Sequence, residues 1–406
     1  MSNAASIPSR TTVTLDVVNG DLEIGKHTIV KGTGNPPAVK VNGTVYCEGH
    51  NIFECNLSAQ QLSADNSVTV QGDLEVRDDV EIEDGRLEVY GRMTADDVDV
   101  DDAVFVSRDL VATDVEIGGS LRVDGRTLVK DIDVGGTFEA KGEVEADSVD
   151  VGGKLVIDSK VDIKSIDVGG TANVRGGTIH EIDVGGTFES KGPLQFEKID
   201  VGGTVELTGT SKGQEIEVGG FLRANGDLAF EELEAGGKVQ IKGQTQGESM
   251  DVGGTVDIDG SLRLSGTMEV GGRADVSGEI TTRNIEIGGT LRARKVTAQE
   301  HVEVGGSINT GEGVLARSVE IGNRGTVHGP IRADEIDVGK GAEVEDLYGK
   351  HVILRNGASA GNVFGENLTI ESHCRTSGEV QYTNELRQGD HISFAQPPKR
   401  VTILPR

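Results

Sequence analysis

Aromatic side chains are scarce in this chain: nine Phe, four Tyr and no Trp among 406 residues. A chain of that length ordinarily makes two or three globular domains, with cores of large aliphatic and aromatic side chains. Hydrophobic residues total 35 %, so the interior has to be thin and lined by Val, Ile, Leu and Ala. The same shortage argues against a polysaccharide lyase or hydrolase site, which needs sugar-stacking aromatics beside its carboxylates. Cysteine is also rare. Cys47, Cys55 and Cys374 cannot build a disulfide framework, which fits a reducing cytoplasm. Basic residues are the minority, 39 Lys and Arg against 68 Asp and Glu, for a net charge of −29. Binding nucleic acid or an anionic membrane needs clustered Lys and Arg, so neither is expected as a partner. No run approaches the ~18 apolar residues of a membrane span. The opening MSNAASIPSR has no apolar segment of the kind that signals secretion, so the expected compartment is the cytoplasm.

What is abundant is glycine, at 59 positions, and it is periodic. The first residue of each Gly-Gly pair falls at Gly118, Gly135, Gly152, Gly169, Gly185, Gly202, Gly219, Gly236, Gly253, Gly271, Gly288 and Gly305. The steps are 17 residues apart except for one of 16 and one of 18. The register continues in degenerate form through Gly322 and Gly339, and upstream to VDVDDAVFV, where Asp101 and Asp102 take the glycine places. Looser copies occur at LDVVNGDLEI and VKVNGTVYC. One array fills nearly the whole chain.

A single unit, Ile132 to Ser148, shows its construction. Ile132 and Val134 flank Asp133, Phe138 and Ala140 flank Glu139, and Val144 and Ala146 flank Glu145. Alternation with period two, broken by glycines, describes three short strands with turns between them, one coil of a triangular β-solenoid. A further glycine recurs seven residues after many of the pairs, at Gly125, Gly142, Gly176, Gly192, Gly209, Gly226, Gly243, Gly260 and Gly278. Glycine at fixed corners serves a backbone that needs positive φ or a close approach between stacked chains. Between Ala38 and Gln396 only Pro193 and Pro330 occur, each directly after a glycine and so expected at corners. Roughly 22 coils at about 4.8 Å give an expected length on the order of 100 Å.

The expected organisation is a flexible tail over 1–10, a continuous solenoid over 11–385 that is most regular over 98–345, and a Pro-containing tail over 386–406. Soluble solenoids close their ends with a polar repeat or an amphipathic helix. Neither is evident in the sequence, LSAQQLSADNS being short and internal. Open ends template another copy of the same solenoid, so the expected partner is the chain itself, with other proteins as possible partners for the terminal tails.

Two residues before each Gly pair stands an acid without exception: Asp99, Glu116, Asp133, Asp150, Asp167, Asp183, Asp200, Glu217, Glu234, Asp251, Glu269, Glu286, Glu303, Glu320 and Asp337. Its neighbours point inward, so it points outward, and stacking makes a carboxylate stripe. The first reading is a solvated face that prevents sideways adhesion; the second is a stripe for divalent cations or a partner. CEGHNIFEC offers Cys47, His50 and Cys55, but a structural zinc site usually wants four ligands with a tight Cys pair, so buried reduced thiols are expected. GTGNPP, at 32–37, lacks the Lys-Ser/Thr ending of a phosphate loop and reads as an excursion from an early coil. The eight His form no recognisable nucleophile-base arrangement with Ser or Cys. No residue receives a catalytic, cofactor-binding or metal-ligating role.

The stretch SVEIGNRGTVHGPIRADEIDVGKGAEVEDLYGKHVILRNGASAGNVFGENLTIES, 318–372, resembles the bactofilins, polymer-forming cytoskeletal proteins. The likeness lies in the cadence of V-x-I or I-x-V followed by glycine, a small residue, G-x-V and the next rung. It implies a right-handed triangular β-helix, nucleotide-independent polymerisation through the helix ends, and a scaffold role in cell shape or protein localisation. The chain departs from the family in its coil number and strict Gly-Gly period. A left-handed hexapeptide acyltransferase would need 18-residue coils and a catalytic His between subunits, and neither is evident. The expectation is a non-enzymatic, self-polymerising cytoplasmic scaffold. The alternative is an extracellular adhesin or sheath-type solenoid.

Overall fold

The computed structural model describes residues 4–405, and all of its regular structure is β. Two compact units are distinguished, Met1–Gly202 and Gly203–Arg406. In each, parallel strands stack as a β-solenoid, about 23 turns in all at roughly 17-residue spacing.

In the first unit, Thr137–Ala140 pairs with Ser120–Val123 in the preceding coil and with Lys154–Ile157 in the following one. The other two faces of a coil are joined in one eight-residue strand, such as Thr127–Val134 or Val144–Val151. Leu110–Ile117 reveals the corner inside such a strand. Its Leu110 and Val111 pair with Met93 and Thr94, whereas Asp114 to Ile117 pair with Asp97 to Val100, which belong to a separate strand. Alternation slips by one place at this corner: Lys130 and Asp131 are adjacent, and neither is buried. The slip lets both faces keep their aliphatics inside, because a phase shift of one residue reverses which side chains point inward. Phe138, Leu155, Ala172 and Phe188 succeed one another in the inward column of the second face, all buried. Each fully buried phenyl contributes about 2–3 kcal/mol.

The Gly-Gly pair marks a close approach, not a positive φ. Neither glycine of any of the periodic pairs, Gly118-Gly119 through Gly305-Gly306, lies in the left-handed region; Gly176-Gly177, outside that series, does. Gly135 N–H donates to Ile117 O at 2.9 Å and Thr137 N–H to Gly119 O at 3.1 Å, so the corner itself is hydrogen-bonded to the coil before it. A Cβ on Gly135 would sit 2.4 Å from Gly118 O. The second recurring glycine is mixed: Gly176, Gly209, Gly226 and Gly243 have positive φ, and Gly125, Gly142, Gly192, Gly260 and Gly278 do not.

Corners also absorb the irregular steps. The 16-residue coil loses its residue where Gly176 and Gly177 stand at φ 91° and 130°, and Val161 there faces Gly177. In the second unit the 18-residue coil gains one between Leu264 and Met268, since Gly247 faces Leu264 but Met250 faces Met268. Strands there range from the two-residue Leu228–Ala229 to Arg273–Ile287 and Thr290–Val304, which pair along three faces. The Phe230 ring occupies the place of a Gly247 side chain, 2.3 Å from its Cβ position.

The ladder begins earlier and ends later than the sequence pattern marks. Ala5–Ile7 pairs with Leu22–Ile24, inside the stretch expected as a tail, of which 1–3 lie outside the described residues. Val380–Gln388, Ser393–Phe394 and Lys399–Arg400 continue the pairing into 386–406. Two- and three-residue strands carry little hydrophobic periodicity, and the coil already formed supplies their hydrogen-bond partners. LSAQQLSADNS is two strands, Asn56–Ala59 and Gln61–Ala64. GTGNPP turns back on itself, with Thr33 and Ala38 in an antiparallel bridge.

Candidate functional site

Parallel pairing in register places each outward residue beside its counterpart in the next coil, so the surface is organised in columns. On the first face of the first unit one column runs Glu81, Asp99, Glu116, Asp133, Asp150, Asp167, Asp183, Asp200. In the second unit the corresponding column runs Glu217, Glu234, Asp251, Glu269, Glu286, Glu303, Glu320, Asp337. Every acid expected from the sequence is in place, and Glu81 extends the series by one. Ser63 precedes Glu81 and Ile353 follows Asp337. Over part of the first unit the patch is two residues wide, because Asp79, Asp97, Asp114 and Asp131 pair in the same strands.

The ladder does not force like charges together. On the second face Arg122 pairs with Glu139 at 3.6 Å, Arg223 with Glu206 at 3.4 Å and Arg292 with Asp275 at 3.6 Å, each with its register partner of opposite sign in the adjacent coil. In the acidic columns Arg355 forms an ion pair with Asp337, and His301 Nε2 lies 3.8 Å from Glu303 Oε2. Partial burial, then Asp167 and Asp133, push the Asp150 carboxyl above its ordinary value. Partial burial, then Asp167 and Asp200, do the same for Asp183, against a smaller opposing effect of Lys198. Asp97 is raised by burial, then by Asp96, Asp114 and Asp79. At about 4.8 Å a pair of charges repels by a little under ~1 kcal/mol at water's dielectric.

The cysteine-histidine cluster separates. Cys47 points inward from Thr44–Cys47, and Cys55 is buried next to a corner. His50 is exposed and stacks on His27 at 5.0 Å between ring centroids, both residues at positive φ. Burial followed by Asp65 drives the Cys47 thiol far up, and burial followed by Glu54 pushes Cys55 up to about 11. Burial raises Cys374 as well. Since thiolate is the reacting form, a colorimetric disulfide reagent at pH 8 is expected to titrate all three thiols after denaturation and to react with them slowly, if at all, in the native protein. Fast native labelling would contradict the buried placement.

A different convergence, to which the sequence pattern assigns no role, lies at His301, Glu303 and Glu320, whose ligand atoms are all within 4.8 Å of one another. Half of it is in the sequence, where His301 stands two residues before Glu303 on the same side of a strand; Glu320 joins them only through the register of the next coil. Among the described residues no helix is long and apolar enough to cross a membrane. The chain matches no family model, no curated protein and no solved structure.

Proposed function

We propose that the chain is a non-enzymatic structural protein, a bactofilin-like scaffold that self-associates end to end without nucleotide. In this reading it works in the cytoplasm, supporting cell shape or the placement of other proteins. The observation that carries it is the continuation of the parallel ladder to the outermost described strands, Ala5–Ile7 and Lys399–Arg400, each paired on one side within the chain. A strand satisfied on one side presents free N–H and C=O groups on the other, which is a template for pairing. Because coil follows coil in one parallel register, a second copy can add as a further coil, a head-to-tail contact that does not close on itself. The acidic columns favour this direction of growth by opposing side-by-side adhesion.

Negative-stain microscopy and sedimentation of the purified chain without nucleotide test the reading. Filaments about 3 nm wide, from the spacing of strands and sheets, are the expected result. A single monodisperse species at the highest soluble concentration would overturn it.

A further inference from the structure

The side chains of His301, Glu303 and Glu320 converge on the first face of the second unit. His301 and Glu303 leave Thr290–Val304 on the same side, flanking the buried Val302, and Glu320 on Val314–Ile321 is the register partner of Glu303. The three offer ligand atoms mutually within 4.8 Å, with His301 Nε2 at 3.8 Å from Glu303 Oε2. The other ring nitrogen is engaged: His301 Nδ1 lies 2.8 Å from Ser318 Oγ, and Ser318 Oγ donates to Glu300 O at 3.5 Å. Ser318 Oγ thus holds Nδ1 on one side of the ring and leaves Nε2, on the other, facing two carboxylates. In the Nδ1–H tautomer Nε2 is a lone-pair donor, and three ligand atoms then converge in an arrangement that a cation completes.

We infer that His301, Glu303 and Glu320 bind a divalent transition-metal ion, for which Zn²⁺ is the natural probe. Imidazole nitrogen and carboxylate oxygen are both zinc ligands, and three protein ligands leave a fourth position for water. The imidazole distinguishes the site from the rest of the column, because Mg²⁺ and Ca²⁺ prefer all-oxygen surroundings. Ser318 is a positioning residue: its hydroxyl holds Nδ1 at 2.8 Å and with it the plane of the ring, as outer partners of ligating histidines do. The ion joins consecutive coils through Glu303 and Glu320, where two carboxylates otherwise repel. This inference is independent of whether the chain forms filaments.

The test is calorimetric titration of the full chain with ZnCl₂, alongside MgCl₂, for the native protein, His301→Asn, Glu320→Gln and Ser318→Ala. Both ligand variants are expected to lose one equivalent of Zn²⁺ or to bind it at least about tenfold more weakly. Ser318→Ala is expected to weaken binding and to change the tautomer pattern of the His301 ring nitrogens in ¹⁵N NMR. MgCl₂ at equal concentration should leave the Zn²⁺ isotherm in place. Since the three side chains point outward, the metal-free variants should melt like the native chain. Two results overturn the site: unchanged Zn²⁺ stoichiometry and affinity in His301→Asn, or equal displacement by Mg²⁺, which would assign binding to the carboxylates at large.

Discussion

Gly152→Val is expected to unfold the coils around it. The Cβ would fall 2.4 Å from Gly135 O, and Gly169 in the next coil is packed equally tightly, its own Cβ position 2.5 Å from Gly152 O. Movement away is blocked by the ladder: Gly152 N–H donates to Val134 O and Lys154 N–H to Gly136 O, each at 3.0 Å. Relieving the clash means stretching those bonds on both sides of the corner. Overpacking of this kind costs about 1–3 kcal/mol for the smallest additions, and a branched side chain against backbone costs more, beyond about 4 kcal/mol. In a solenoid each repeat leans on its neighbours, so the damage spreads from the altered coil. Gly311→Ala is the control. Its Cβ would meet nothing nearer than Arg294 O at 3.9 Å, and its φ is outside the left-handed region. That substitution should be neutral or stabilising by about 0.4–1 kcal/mol. Denaturant melts with hydrogen exchange across Gly135 to Gly169 provide the comparison; equal stability of Gly152→Val and Gly311→Ala would remove close approach as the reason for the paired glycines.

Replacing Asp133, Asp150, Asp167, Asp183 and Asp200 together by Asn is expected to raise the melting temperature strongly at low salt. The four repulsions within the set disappear, together with that between Glu116 and Asp133, each a little under ~1 kcal/mol in water and screened by salt because the side chains are largely exposed. Stacked Asn amides can also bond to one another along the ladder. The gain should shrink in 1 M NaCl, and the variant should associate sideways more readily than the parent. Acidity ought to imitate the substitution. The raised values of Asp150 and Asp183 mean that the native state holds protons more tightly than the unfolded chain. Their contribution to stability therefore falls as pH rises from about 3.9 toward those raised values. Asp124 has the opposite sign, because Lys141 and then Arg122 hold its carboxyl down, so its contribution is lost as pH falls. Unchanged melting of the fivefold variant at low salt would show that the column carries no repulsive cost.

The period of glycine and aliphatic residues was enough to read the coil, its three faces and the direction of the acidic column. Inward Ile132, Val134, Phe138 and Ala140 alternate with outward residues as the sequence alone requires. Three things were not legible for physical reasons. Gly-Gly has the same letters whether the backbone needs left-handed φ or bare space, and only the Gly118 carbonyl pressed against Gly135 decides it. His27, His50, His373 and His391 occupy positive φ at corners, where glycine is the usual marker and histidine is no clear signal. Glu320 meets His301 and Glu303 through coil stacking, a proximity that emerges only when strands are placed in register.

The fit of one corner carbonyl against the next glycine also limits how such a gene can change. Removing the seventeen codons for 135–151 would seat Gly152 against Gly118 as Gly135 sits now, whereas removing ten would set a face against a corner and strand aliphatics in water. Duplication and loss in whole turns are thus the open evolutionary route, and the 16- and 18-residue coils mark where drift of a single codon has been tolerated, at bends with Gly176 and Gly177 or with Gly266.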